Sequence, residues 1–274
     1  MPKKYPVFAA IPNYNMSERL KVLLPSIIER GYSHIYILDD CSTDKSAQLV
    51  SSFGSKDITF SSSTKNLGAG PTRNRILDYQ KNGIVHFLDA DMELAGTGNI
   101  TANIVNAFNR HEDASVIGFS VLNPDGTQFD WNYGPRRSIS DYITYRSWRL
   151  YKRTNNNSIK RALELLFGSY WKKFWNFMHP GDEDIEQEVG VVVECNMAVR
   201  LEDFAAVNGF DNRLRYHEIH DLAYKLKAIG RTIWYVPEVT ALKHNGPEDV
   251  RPNRKKEMKD SARLLDYKRF TNKY

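Results

Sequence analysis

Short apolar runs alternate with amphipathic stretches along the first 120 residues of the chain. The runs are apolar on both faces, as in parallel sheets, and they predict strands at residues 5–11, 34–38, 58–60, 84–88 and 115–120. Between them, apolar residues recur at intervals of three and four, which predicts helices. Strands that alternate with helices favour a mostly parallel sheet with right-handed crossovers, so the predicted fold class is α/β.

Three residues predict where the first helix begins, bends and ends. We expect Ser17 to cap the helix, Pro25 to kink it and Gly31 to close it. A later helix is predicted from about residue 71 to 80, ahead of the strand at 84–88.

The alternation breaks between residues 121 and 190, where the chain is rich in basic and aromatic side chains. One helix face is predicted there from apolar residues at helical spacing: Ile159, Leu163, Leu166, Tyr170, Phe174 and Phe177 or Met178, with Trp171 and Trp175 beside them. Two interpretations of this face stay open. It packs on the rest of the domain, or it meets a membrane surface or an acceptor.

Residues 191–250 return to the alternation, with a strand predicted at 191–199 and a helix from about 218 to 229. Residues 251–274 form a basic tail with a helical pattern.

Composition places the chain among globular proteins. It is 41% hydrophobic and 26% charged, whereas disorder requires low hydrophobicity with high net charge. Only Cys41 and Cys195 occur, so no disulfide framework is predicted. The N-terminal apolar run is too short for a signal peptide, and no stretch reaches the roughly 18 apolar residues of a spanning helix. The expected location is therefore cytoplasmic.

The net charge of +5 is unevenly distributed. Residues 251–273 hold nine Lys and Arg against three acids, and residues 136–173 hold ten against two. Such basic segments bind phosphates, anionic lipid or nucleic acid. Nucleic acid is the least favoured partner because no nucleic-acid-binding motif accompanies the charge.

The candidate chemistry lies where predicted strands end. The 84–88 run stops at Asp89 and Asp91, and ligands of open α/β sheets bind outside the carboxyl ends of the strands. Two carboxylates there indicate a divalent cation, Mn²⁺ or Mg²⁺, which commonly completes its shell with phosphate oxygens. Tyr14, Asp39 and His244 follow other strands and are expected at the same edge.

Several motifs occur in a specific order along the chain. They are Pro12-x-Tyr14-Asn15, Asp39-Asp40-Cys41-Ser42-Thr43-Asp44, Asn66-Leu67-Gly68 through Arg73-Asn74, Asp89-Ala90-Asp91, Gly209-Phe210-Asp211 and His244. In this order the chain resembles family 2 glycosyltransferases with the GT-A fold, a Rossmann-like architecture. The resemblance covers most of the chain outside residues 121–190 and the tail.

The resemblance implies a nucleotide-sugar donor, commonly a uridine diphosphate sugar, and transfer with inversion at the anomeric carbon. It assigns nucleotide binding to Pro12, Tyr14, Asn15, Asp39, Asn66, Arg73 and Asp89. Tyr14 would lie against the base and Asp39 would accept from the uracil ring. Asp91 would bind the metal directly, Asp89 would contact the ribose or a metal-bound water, and His244 would complete the metal site.

The general base is where this chain departs from the family pattern. Members carry adjacent acids at the start of the helix after Gly-Phe-Asp, but Ile219 stands in the place of the usual aspartate. Glu218 and Asp221 are three residues apart and share a helix face, so either could point into the site. Glu218 is the first candidate base and Asp221 the second. A catalytically silent scaffold protein stays an alternative because of Ile219. A nucleotidyltransferase is disfavoured because the Pro12–Asn15 loop is not a glycine-rich phosphate loop.

These readings divide the chain into four parts. Residues 1–120 form the nucleotide-sugar-binding half, 121–190 a helical insertion, 191–250 the acceptor-side half and 251–274 the basic tail. The expected acceptor is a hydroxyl of a glycan or a lipid-linked molecule. We expect peripheral contact with the inner face of a membrane, through the tail or the aromatic insertion.

Overall fold

The computed structural model describes residues 5–129, 132–134, 139–178, 185–244 and 253–271. The strands are β1 (Val7–Asn13), β2 (His34–Asp39), β3 (Ile58–Ser62), β4 (Ile84–Leu88), β5 (Met92–Leu94), β6 (Ala114–Gly118), β7 (Val121–Leu122), β8 (Tyr133–Gly134), β9 (Gln187–Glu188), β10 (Val191–Val192), β11 (Asn196–Arg200), β12 (Thr232–Tyr235) and β13 (Ala241–Lys243). The helices are α1 (Ser17–Ile27), α2 (Ser46–Ser52), α3 (Ala69–Asn74), α4 (Ile100–Arg110), α5 (Ile139–Arg153), α6 (Asn157–Met178), α7 (Leu201–Ala206), α8 (Glu218–Ala228) and α9 (Arg254–Thr271), with a 3₁₀ helix at Arg75–Asp78.

A mixed sheet of eight strands, in the order β3-β2-β1-β4-β11-β6-β12-β9, forms the centre of the fold. Strands β3, β2, β1 and β4 pair in parallel, as do β6 and β12. Strand β11 runs antiparallel to both of its neighbours. The α/β class with a mostly parallel central sheet is confirmed, and the antiparallel β11 is the feature that the sequence pattern did not reveal.

Apolar side chains cover both faces of the sheet, as the uniformly apolar runs predicted. Successive residues of a strand point to opposite faces. In β1, Val7, Ala9 and Ile11 join one buried cluster, whereas Phe8 and Ala10 join the other. The sheet is therefore a buried layer between helices, and its strand ends are the places where polar groups emerge.

Some element boundaries differ from the predictions. The expectation that Ser17 caps α1 is wrong, because Ser17 is the first helical residue and its N–H donates to Asp44 Oδ2 at 2.8 Å. A carboxylate from a distant loop thus does the capping, and helical periodicity carries no signal of it. Helix α1 ends at Ile27 rather than at Gly31, and Pro25 lies inside it.

Two further segments, each predicted as one element, are two elements in the structure. The helix predicted from 71 to 80 is the short α3 followed by a 3₁₀ helix at Arg75–Asp78. The strand predicted at 191–199 is two strands, β10 and β11, which belong to different sheets. The polar residues Glu194 and Asn196 lie inside the segment predicted as one strand, in the region where β10 has ended and β11 begins.

A small three-stranded sheet, β5-β13-β7, lies beyond the end of β4. Strand β13 pairs antiparallel with β5, so that Lys243 lies opposite Met92. The N–H of His244 then donates to the carbonyl of Asp91 at 2.8 Å. This pairing brings together residues that lie about 150 positions apart in the sequence.

Helices α5 and α6 form an antiparallel pair within the predicted insertion, and they pack against each other. Trp171 of α6 is 9% exposed, and its indole N–H donates to Ser147 Oγ of α5 at 2.9 Å. The helical character of the insertion is therefore confirmed. The side chains of Phe174, Trp175, Phe177 and Met178 lie outside the described residues, so their part of the predicted face stays a prediction.

The basic tail folds as α9 against α8. Leu265 is 1% exposed, and Lys268 is buried with its ammonium group bonded to Asp221 and, at 3.1 Å, to Asp211. A lysine is rarely buried unless it is paired. The tail is thus part of the folded domain. Among the described residues, no helix is long and apolar enough to cross a membrane.

Replacement of Lys268 by methionine should lower the free energy of unfolding by about 3 kcal/mol, because Asp221 is fully buried and loses its closest cation. Lys225 remains 3.7 Å from Asp221 Oδ2, which keeps the loss at the lower end of the usual range. Urea denaturation measures it. The matched control is Arg263→Met in the same helix, whose partner Asp260 is exposed, and its cost should stay below about 1 kcal/mol. Equal stability of both variants would contradict a structural role for Lys268.

Candidate functional site

The carboxyl ends of β1, β2 and β4 meet at one edge of the sheet, as expected for parallel neighbours. Asn13 ends β1, Asp39 ends β2, and Asp89 follows β4. The Asp39 carboxylate is 1% exposed, and its Oδ1 accepts from the Asn13 side chain at 2.7 Å. Its Oδ2 accepts from the Ser42 N–H at 3.0 Å and the Ser62 hydroxyl at 2.7 Å. A carboxylate accepts about four hydrogen bonds, so one position is left for a ligand donor.

The loop after β1 carries an exposed aromatic residue next to this edge of the sheet. Tyr14 is 47% exposed, while Pro12 beside it is half-buried. Asn15 has a left-handed backbone with φ of 53°, and its side-chain oxygen accepts from the Thr43 N–H at 2.8 Å. The Asn15 N–H donates to Ser42 Oγ at 2.8 Å. The loops after β1 and β2 therefore hold each other through Asn15, Ser42 and Thr43.

Asp40 shapes the next loop. Its oxygens accept from the N–H groups of Leu67 at 2.6 Å and Gly68 at 2.8 Å. Gly68 has φ of 92°, and a Cβ there would lie 2.2 Å from Arg215 Nη1. The left-handed backbone favours glycine at this position, whereas the end of the Arg215 side chain could move aside. Arg215 also donates to Asn66 Oδ1 at 3.5 Å, so Asn66 lies where the loop meets the segment before α8.

Arg73 of α3 reaches the carboxylate of Asp89. It is 4% exposed, and its Nη2 donates to Asp89 Oδ1 at 2.5 Å. Burial acts to lower the pKa of Arg73, but Asp89, Glu194 and Glu218 together raise it. The guanidinium is thus surrounded by three carboxyl groups, and its Nε makes no hydrogen bond.

Asp91 has the features of a cation ligand. Its Oδ1 is buried with no hydrogen-bond partner among the described residues, and its Oδ2 accepts from Lys243 Nζ at 3.0 Å. Burial and the charge of Asp89 raise the pKa of Asp91, while Lys243 opposes them. An orphaned buried oxygen beside a second carboxylate fits a divalent cation. The residues present therefore fit Mn²⁺ or Mg²⁺.

His244 lies next to Asp91 through the backbone pairing, but its ring points elsewhere. Its Nε2 is 2.7 Å from Glu93 Oε2. Within the described ranges, no three His, Cys, Asp or Glu side chains converge as a preformed metal cluster. Because Glu93 engages Nε2, Nδ1 is the ring nitrogen that a metal could bind, with Nε2–H donating to the carboxylate.

Two glutamates, Glu194 and Glu218, lie close enough to Arg73 for their charges to raise its pKa. Glu218, the first residue of α8, is 7% exposed, and its Cγ lies 3.1 Å from where a Cβ on Gly70 would stand. The Ile219 N–H donates to Glu194 Oε1 at 3.3 Å. Burial and then the charge of Glu194 raise the pKa of Glu218 to about 7, and burial likewise raises the pKa of Glu194. A carboxyl group that titrates near neutrality is suited to general base catalysis.

Asp221, the second candidate base, lies away from this cluster. It is fully buried and forms an ion pair with Lys268 of the tail. The arrangement favours Glu218 over Asp221 as the group that meets a substrate.

Sequence reasoning missed Glu194 and Lys243. Glu194 precedes β11, and because β11 is antiparallel, the residues before it lie at the same edge as those that follow β4. Glu194 falls inside the strand predicted at 191–199, so the sequence pattern placed it within the sheet rather than at its edge. The one sequence signal for Lys243 is its position directly before His244.

Comparison with known proteins shows the family and the fold of the chain. The family model described as glycosyl transferase family 2 matches residues 9–171, more than half of the chain. No curated protein matches the sequence significantly.

Three solved structures share the fold. They are S. aureus TarS 1-349 in complex with UDP-GlcNAc (TM-score 0.54, 18% identity, 88% of this chain and 59% of that chain), the mannosyltransferase PcManGT from Pyrobaculum calidifontis with GDP-Man and Mn²⁺ (TM-score 0.58, 14% identity, 90% and 59%), and GalNAc-T7 with UDP, GalNAc and Mn²⁺ (TM-score 0.59, 15% identity, 89% and 44%). At these identities the likeness shows the GT-A fold alone. The chain spans about half of the length of these proteins.

Proposed function

Because the chain belongs to glycosyl transferase family 2, we propose that it moves a sugar from a nucleotide-diphosphate donor to an acceptor hydroxyl, with inversion at the anomeric carbon. The observation that carries the proposal is the edge where Asp89, Asp91 and Arg73 meet the carboxyl pair of Glu218 and Glu194. Asp89, Asp91 and Arg73 would hold a cation and a diphosphate. Glu218 adds a carboxyl group whose pKa of about 7 suits a general base.

We propose a uridine diphosphate sugar as the donor. The spare acceptor position on Asp39 suits the ring N–H of uracil, and the exposed ring of Tyr14 suits stacking on the base. Two of the similar structures hold uridine nucleotides, and one holds GDP-Man. Whether the sugar is a hexose or an N-acetylhexosamine is set by the remaining pocket.

Asp91, with Asp89 and His244, would hold the Mn²⁺ or Mg²⁺ that this proposal requires. A bound cation would stabilise the negative charge on the leaving diphosphate. In the structure, the positive charge beside Asp91 is the ammonium group of Lys243, 3.0 Å from Asp91 Oδ2. Two of the similar structures contain Mn²⁺.

We assign the general base to Glu218. Its carboxylate takes the proton of the acceptor hydroxyl as the new oxygen–carbon bond forms, while the bond from the anomeric carbon to the diphosphate breaks and its electrons leave with the phosphate. Burial, and after it the charge of Glu194, raises the pKa of Glu218 to about 7. Transfer therefore requires the ionised form and rises with pH through about 7.

For the acceptor we propose a hydroxyl of a glycan or a lipid-linked molecule presented at a membrane surface. The mainly basic character of residues 136–173 supports this, because acceptor carriers with phosphate groups are anionic.

Calorimetric titration with uridine diphosphate tests the proposal. We expect binding in the presence of Mn²⁺ and loss of most of it with chelator. Guanosine diphosphate and thymidine diphosphate serve as the matched nucleotide comparison. If no nucleotide binds with or without metal, the donor site is disproved.

A catalytically silent binding protein remains the second candidate, because Ile219 occupies the place of the usual acid. Metal-dependent hydrolysis of uridine diphosphate sugars, measured on a panel of donors, separates the two. Donor binding without any hydrolysis or transfer favours the silent protein.

A further inference from the structure

The paired helices α5 and α6 expose a row of large apolar side chains. Ile159, Leu166 and Tyr170 lie on one face of α6, seven and four residues apart, and are 43%, 66% and 59% exposed. Leu165 beside them is 84% exposed. On α5, Leu150 is 53% exposed. Large apolar side chains that cluster on a surface mark an interaction site, whereas single ones do not.

This row is separate from the core of the helix pair. The packed side is formed by Trp171 with Ser147, and by Tyr151, whose ring lies 5.1 Å from that of Trp171. The hydroxyl of Tyr151 donates to Glu164 at 2.6 Å. The exposed row lies on the other side of α6, so folding of the pair does not require it.

Positive charge surrounds the row. Residues 139–178 hold eight Lys and Arg against Asp141 and Glu164, a formal charge of +6. Arg161 and Lys172 are exposed on α6, and Arg146 and Arg153 are exposed on α5. Glu164, the acid of α6, is engaged by Tyr151. Leucines bordered by cations are typical of helices that lie in the interface of an anionic bilayer.

We propose that the exposed face of α5 and α6 docks on an anionic lipid surface, with Leu165 and Leu166 inserted among the acyl chains. The charge decides between a bilayer and a second copy of the chain, because two copies would bring +6 against +6. Long basic side chains keep their ammonium and guanidinium groups at the headgroups while their stems cover the apolar face.

The tail is a weaker candidate for the same role. Its helix α9 uses Leu265 and Lys268 to pack on α8, and the helix has little apolar surface left, with Met258 37% and Tyr267 53% exposed. The inference extends the proposed function by placing the enzyme at a membrane, but it does not depend on sugar transfer.

Co-sedimentation with vesicles tests the proposal on the full chain. Phosphatidylcholine vesicles with and without about one third phosphatidylglycerol are the probes, at low and high salt. We expect binding to the anionic vesicles, weakened by salt, and a loss of at least about tenfold in the partition coefficient for Leu165→Ser/Leu166→Ser.

Two variants are the matched controls. Lys255→Ser/Lys256→Ser/Lys259→Ser removes charge from the tail, and Ile229→Ser removes an apolar side chain that is 47% exposed elsewhere. Both should bind nearly as the unchanged protein does, and circular dichroism and uridine diphosphate binding confirm that each variant is folded. Undiminished binding by the leucine variant, or loss through the tail variant alone, would overturn the proposal. So would a dimer that the leucine variant splits, because the face would then pair two copies.

Discussion

Glu218→Gln should reduce sugar transfer by a factor of about 10²–10⁴ while donor binding stays within a few-fold of the unchanged protein. The amide occupies nearly the same volume but accepts no proton at neutral pH. Glu218 is 7% exposed at the start of α8, whereas Asp39 ends β2 and Tyr14 follows β1. Loss of the base should therefore leave the nucleotide contacts intact.

The pH dependence gives this prediction a second readout. In the unchanged protein the rate rises with pH through about 7, because the base must be ionised and the pKa of Glu218 is raised by burial and by Glu194. Glu194→Gln removes the neighbouring negative charge. The pKa of Glu218 should then fall, and the rising limb of the profile should move to lower pH.

Initial rates across pH 5 to about 9 with a saturating donor measure both effects. Asp221→Asn is not a suitable control, because Asp221 is fully buried beside Lys268 and its loss acts on stability. Asp125→Asn, in an exposed turn, controls for removal of a carboxylate. Full transfer by Glu218→Gln would refute its role as base, and an unmoved profile in Glu194→Gln would refute the coupling.

Asp91→Ala should abolish the metal-dependent part of donor binding. The orphaned Oδ1 of Asp91 is the buried oxygen that a cation would satisfy, and alanine offers no ligand in its place. Calorimetry with uridine diphosphate, with Mn²⁺ and then with chelator, measures the difference, which should vanish in the variant.

Lys243→Met provides a contrast at the same carboxylate. It removes the cation that binds Asp91 Oδ2 at 3.0 Å but keeps both oxygens, so metal-dependent binding should persist. If Asp91→Ala retains the Mn²⁺-dependent affinity of the unchanged protein, the metal assignment is wrong. Loss of binding in Lys243→Met alone would assign the lysine to the diphosphate instead.

The sequence predicted much of the edge formed by β1, β2 and β4. The apolar runs predicted β1, β2 and β4, and the polar residues that follow them meet at one edge because parallel strands end together. Asp39, Asp89 and Asp91 lie there as expected. Their assigned roles in nucleotide and metal binding stay predictions.

The sequence did not predict that Glu194 lies near Arg73 and Glu218. Glu194 stands before its strand, and only the antiparallel direction of β11 brings it beside Arg73 and Glu218. Strand direction results from pairing between distant segments, which a local pattern does not encode. The burial of Lys268 was equally hidden, since a basic helix looks solvent-exposed in sequence.

The sequence by itself determined the α/β class, the family resemblance and the residues that end the parallel strands, because periodicity and motif spacing are local properties. The tertiary structure decided which groups share an environment. It buried Asp221 under the tail, paired Lys243 with Asp91, and set Glu194 against Glu218. Burial and through-space charge depend on residues far apart in the chain, and these two quantities set the pKa of a carboxyl group.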